Sequence, residues 1–193
     1  MYNIIESLHT DHINFSRLLT LLEQQAAILR EGGMPDFEVM LDTIDYLQNY
    51  ADLYHHPRED LIFRFFLERS DIAREAIDEL RRQHRSLWES TNRLRVAIDG
   101  ILHGEIVPRS NFVDQLDTYL NEQRGHLNEE EGYILPLLKQ AFSEADWQEL
   151  NQALPFRSDP LFGPSVEQQY RALYTRIVSE PVPLQRRSAR PAI

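Results

Sequence analysis

The stretch that decides the reading is "YADLYHHPREDLIF", residues 50–63. Two adjacent histidines, His55 and His56, precede Pro57, and Glu59 and Asp60 follow. Apolar and aromatic residues flank them at helical spacing, so ionisable groups sit where a buried helix face is expected. Burying such groups is costly unless each finds a partner. His55 and Glu59 are four residues apart, which places both on one helix face, one turn from each other. Whether this pair means anything depends on what the rest of the chain offers at the same depth.

The punctuation of the sequence answers that. "REGGMPD" (30–36), "ERSD" (68–71), "GILHGEIVPRS" (100–110) and "AFSEAD" (141–146) carry turn and capping residues. Asp36 can start a helix, Ser70 or Asp71 can cap the next, and Ser143 with Asp146 is close to a capping box. Between these marks the apolar residues recur every three to four positions. The pattern predicts long helices over about 3–31, 36–68, 71–102 and 109–142, and shorter ones over about 143–153 and 165–179. With no β-alternation, the expected fold is all-α, an up-down-up-down four-helix bundle with additional short C-terminal helices. The expected organisation is a bundle over 1–145, a helical extension over 146–180 and a disordered basic tail over 181–193.

Depth can then be compared. His126 and Glu130 repeat the four-residue spacing of His55 and Glu59, and His12 and His84 lie on the two remaining helices. At about 1.5 Å per residue, all six fall roughly 14 to 24 Å from the same end of the bundle. Imidazole and carboxylate ligands suit iron and related borderline metals, and a carboxylate can bridge two ions. One such pair is weak evidence; the conjunction on four helices predicts a metal site. His56 points about 100° away from His55 around an α-helix and is read as facing a neighbour or solvent. Pro57, which costs about 3 kcal/mol in a helix interior, is read as a kink.

The 193 residues carry a net charge of −11. That charge disfavours nucleic acid and anionic membrane as partners. There is no cysteine, which removes disulfides, thiolate metal sites and a cysteine nucleophile. No apolar run approaches the roughly 20 residues of a membrane span. The start lacks the features of a secretory signal, so the expectation is a cytoplasmic protein.

The set His12, His55-x-x-x-Glu59, His84 and His126-x-x-x-Glu130 resembles the hemerythrin-like, or HHE cation-binding, family. The flanking "LHTDHINFSRLLTLLE" and "NEEEGYILPLLKQAF" are similar to it too, and the resemblance covers roughly residues 1–145. It implies a bundle around two non-haem iron ions with an oxo or hydroxo bridge, with His12, His55, Glu59, His84, His126 and Glu130 as ligands. Members that carry oxygen reversibly have a second histidine four residues along the third helix, where this chain has Trp88. They also have an aspartate five residues after the last histidine; here Glu130 comes at four, with Glu131 as its rival at five. The match is to a four-histidine, two-glutamate variant, with an open metal position in place of oxygen storage.

The functional expectation is a di-iron protein that binds or reduces O2, NO or peroxide under oxidative or nitrosative stress. Alternatives are an iron- or oxygen-responsive sensor or adaptor, iron supply or repair of iron centres, and a structural zinc or manganese bundle. Tyr54 and Trp88 are the candidates beside the open position: Trp88 to cover it, and a tyrosine hydroxyl to supply a proton. Glu129 and Glu131 are read as a solvated acidic face or as support to the ligands. Residues Val166 to Ile177 offer one apolar face, either packed across the bundle or used in a homodimer.

Overall fold

The computed structural model describes residues 4–154 and 157–179. α1 spans Ile4–Arg30. The second rod joins α2 (Phe37–Tyr46), a π-helical stretch Leu47–His55 and α3 (His56–Leu67). α4 spans Arg74–Leu102. The fourth rod joins α5 (Arg109–Glu129), a π-helical stretch Glu130–Ile134 and α6 (Leu135–Ala141). Two short helices follow, α7 (Glu144–Ala153) and α8 (Arg171–Ser179), the latter led in by a 3-10 turn, Gln168–Tyr170. Among the described residues there is no strand. The fold is the expected all-α helical bundle with short C-terminal helices. The tail expected over 181–193 lies outside the described residues.

Local chemistry fixes the turns. α1 ends on Gly32, whose φ of +84° is open to glycine at little cost. Gly33 N–H then reaches back to the Ile28 carbonyl and Gly32 N–H to that of Leu29, the Schellman arrangement. α4 closes in the same way on Gly104, with Glu105 N–H on the Gly100 carbonyl. Asp36 caps α2 by accepting from Val39 N–H, and Ser143 forms a full capping box with Asp146. The expected cap at Ser70 or Asp71 is not used. α4 starts two residues later, behind Ala73 at φ +59°, and Asp71 instead pairs with the Arg74 guanidinium.

The connections are short, so successive rods run antiparallel. α1 packs on α5 and on the second rod, and α4 packs on α2 and α5, which closes a square. The core is divided in two. One apolar cluster is built around Phe15, Leu18, Leu22, Ile44, Leu94 and Leu116, the other around Leu8, Phe63, Phe66, Ile77, Leu80 and Leu138. Between them lies a polar layer. α7 covers the second cluster through Leu150 and through Trp147, which meets Phe142 edge-on. α8 packs across the bundle on α2 and buries Leu173; Tyr174 and Val178 stay exposed.

Both π-helical stretches end just before a proline. His56 N–H donates to the Ala51 carbonyl and Leu135 N–H to that of Glu130, each five residues back. Pro57 and Pro136 are the next residues. A proline ring collides with the carbonyl four residues back. A widened turn relieves that collision without ending the rod.

The Asp36 cap can be tested alone. Asp36→Ala should lower the unfolding free energy by about 1 kcal/mol in a denaturant titration. An unchanged midpoint would contradict the capping role.

Candidate metal centre

The polar layer draws one side chain from α1, three from the second rod, one from α4 and two from the fourth rod. They are His12, then His55, His56 and Glu59, then His84, then His126 and Glu130, all buried. Glu59 Oε1 lies 3.2 Å from His55 Nε2 and 3.3 Å from His12 Nε2, and its Oε2 lies 3.6 Å from His84 Nε2. Glu130 Oε2 lies 3.3 Å from His126 Nε2 and 3.4 Å from His12 Nε2, and its Oε1 is 3.4 Å from His84 Nε2. His56 stacks on His84, with ring centroids 4.3 Å apart. Two groups of donors result: His12, His55 and Glu59, and His56, Glu59, His84 and His126. Glu59 belongs to both, and Glu130 faces both.

The far nitrogens of four of the five imidazoles are hydrogen-bonded, and that of His56 faces a carboxylate without a hydrogen bond. His12 Nδ1 is 2.7 Å from Glu131, His55 Nδ1 is 2.9 Å from Asp11, and His84 Nδ1 is 3.1 Å from Asp60. His126 Nδ1 is 3.0 Å from the Gln83 amide oxygen, and His56 Nδ1 is 3.3 Å from Asp52. In a neutral ring, an acceptor on Nδ1 favours the tautomer whose Nε2 lone pair faces inward, ready for a cation; without one, His12 Nε2 and His55 Nε2 share a hydrogen bond of 2.9 Å. Both Glu59 oxygens, Glu130 Oε2 and His126 Nε2 are buried without a hydrogen-bond partner. Unsatisfied buried acceptors of this kind are costly, and a bound cation would satisfy them all. The residues therefore fit a metal pair.

Electrostatics without the metal follow from the same contacts. Burial works against a charged His12, but Glu131, Glu59 and Glu130 outweigh it and push its pKa up to about 10. Burial likewise opposes a charge on His84, yet Asp60, Glu130 and Glu59 push it up to about 10. His55 is raised too, with Glu59 and Asp11 overcoming burial. Burial and the neighbouring His84 lower His56, and burial with His56 and His84 holds His126 well below the usual histidine range. Burial would raise Glu59, but His55 and His12 hold it well below the carboxylate range, while burial and Glu59 itself raise Glu130.

Two expectations need correction. His56 does not face solvent: the π-helical turn before it rotates successive residues by less than the about 100° of an α-helix, and His56 follows His55 into the layer. Trp88 does not cover an open position, because it is 46% exposed. A fifth imidazole is present after all, supplied by the second rod and not by α4. A second tyrosine, Tyr50, comes closer to the layer than the sequence suggested, and Tyr54 packs on its ring. The Tyr54 hydroxyl accepts from Arg157 N–H, whereas the Tyr50 hydroxyl lies 3.4 Å from Asp11, the acceptor of His55. Glu131 stands behind His12, which it shares with His9, so Glu130 is the inward carboxylate. Asp11, Asp52 and Gln83 were missed. The only sequence signal for them was spacing: Asp52 precedes His56 by one turn, and Asp11 adjoins His12.

With that geometry in hand, a comparison with protein families finds the Hemerythrin HHE cation binding domain matching residues 3–138. The chain belongs to the hemerythrin HHE cation-binding family. Comparison with curated proteins and with solved structures finds no significant match. The matched region takes in every residue of the polar layer, which assigns this hemerythrin domain a metal-binding role. Among the described residues no helix is long and apolar enough to cross a membrane.

Two outcomes follow for the metal-free hemerythrin domain. A cation on Nε2 must displace the protons that His12 and His84 hold at neutral pH. Loading at pH 7 to 8 should release protons, seen as a buffer-dependent heat in titration calorimetry; equal heats in all buffers would contradict the pairing. Raised histidine pKa values also stabilise the metal-free fold below about 6.5, and that stability is lost as pH rises through about 10. The melting temperature of chelated protein should fall across that window.

Proposed function

We propose that the domain holds two non-haem iron ions with an oxo or hydroxo bridge, and that it binds or reduces O2, NO or hydrogen peroxide under oxidative or nitrosative stress. The observation that carries this reading is the convergence of His12, His55, His84 and His126 through Nε2, each hydrogen-bonded from behind, on two buried carboxylates that lack other partners, with His56 grouped beside them. His12 and His55 would hold one ion, His56, His84 and His126 the other, and Glu59 and Glu130 would span both. Such a pair supplies one-electron redox steps and a place for a small ligand to bind.

The chain's own residues set the conditions. With two imidazoles on one side against three on the other, a small ligand would have room on the His12–His55 side. The Phe15 ring walls that side, edge-on to His55 at a centroid distance of 4.9 Å. An apolar wall admits a small neutral molecule far more readily than a charged or bulky one. Asp11 holds the His55 ring in place and in turn meets the Tyr50 hydroxyl and, at 3.8 Å, the Arg58 guanidinium. The buried Arg58 thus stands behind the same carboxylate that holds His55 Nδ1. The fifth imidazole from His56 removes the sequence argument against oxygen storage, which rested on a missing histidine.

Absorption spectra test the reading. Anaerobically reduced, iron-loaded protein should gain oxo-bridged diferric bands on exposure to O2 or peroxide. The double variant His55→Ala, His126→Ala should lose its iron. Full iron retention in that variant, or a spectrum unmoved by O2, NO and peroxide alike, would overturn the proposal.

A further inference from the structure

The centre is sealed above and below by the two apolar clusters and on the α1 side by Phe15 and Tyr50. A hydrated cation must still reach it. One wall is thin. Between α4 and α5 lies a cleft of about 480 Å³, and His126, otherwise buried, forms part of its lining. Gly125 sits beside it, where a side chain would meet nothing within 4 Å. The mouth carries Glu79, Glu122 and Glu129. Arg82 engages Glu79, whereas Glu122 and Glu129 form no ion pair among the described residues. The Gln83 amide joins mouth to floor: its Nε2 donates to Glu129 at 3.1 Å, and its Oε1 lies 3.0 Å from His126 Nδ1. His126 Nε2, at the inner end of this chain, has no hydrogen-bond partner.

We propose that the α4–α5 cleft is the route by which a divalent cation is loaded into the centre, with Glu122 and Glu129 as capture carboxylates and Gln83 as the latch. Carboxylates at the mouth concentrate cations there. A cation on Glu129 competes with the Gln83 N–H for the same oxygen. Once that bond breaks, the amide releases His126, whose ring then hands the ion to Glu130, one turn along the same rod. The cleft is wide enough for a partly hydrated ion, and Gln83, Asn121, Glu122 and Glu129 in its lining offer oxygen atoms, whereas the Phe15 ring offers none. The proposal rests on the di-iron reading and concerns how the ions arrive, not where they stay.

Loading kinetics on the full chain test it. Protein stripped of metal is mixed anaerobically with Fe(II), and the iron still open to a colorimetric chelator is followed by stopped flow. Elemental analysis gives the end point. Glu122→Gln, Glu129→Gln together should slow loading by about tenfold at low salt, with the difference shrinking as ionic strength rises. Gly125→Leu, which favours the helix and fills the cleft, should slow loading at every salt concentration. Glu38→Gln, which removes one charge away from the cleft, on the first turn of α2, should load as the unaltered chain does. All variants should reach the same final iron content. Unaltered rates in both cleft variants would overturn the route and leave the di-iron reading standing. A stripped, unaltered chain that takes up no Fe(II) would overturn both.

Discussion

Two fully buried glutamates, Glu59 and Glu130, stand between two apolar clusters, and the rest of the structure answers to them. A carboxylate in such a place must be protonated, paired or bound to a cation. Five imidazoles surround these two; four are hydrogen-bonded by an acceptor on the outer nitrogen, and His56 faces Asp52 at 3.3 Å. That shell of Asp11, Asp52, Asp60, Gln83 and Glu131 is what makes the layer a cage instead of a random cluster of charges. Remove one acceptor and the ring it holds can rotate or change tautomer, and the inward lone pair is lost.

The helices bend their own rules to build the cage. A strictly α-helical second rod would send His56 away from His55. The π-helical turn before Pro57 brings both inward, and the same device recurs where Glu130 leads into a π-helical turn before Pro136. In both rods the wide turn and the proline fall within a few residues of the ligands. Irregular helix geometry concentrated at the site, with regular geometry elsewhere, is the pattern expected where function sets the backbone.

Much of this was legible in the sequence. Apolar periodicity and the glycine and aspartate punctuation placed the long helices to within a few residues, and depth counting brought six of the layer's side chains together. The misses share a cause: angular position was computed on an ideal helix. That step turned His56 outward and put Trp88 over the site, where the structure leaves it exposed. The acceptors behind the imidazoles were hidden for another reason. Asp60 and Gln83 reach across to a different rod, to His84 and His126, and no spacing along one helix reveals a contact between two.

The central claim is that two ions sit in this cage on five imidazoles and two carboxylates. Anomalous diffraction at the iron edge from a crystal of the iron-loaded chain tests it most directly. The account predicts two peaks bracketed by Glu59 and Glu130, one ligated by His12 and His55 and the other by His56, His84 and His126 through Nε2. A single peak, or two peaks with the His56 ring turned away from both, would contradict it.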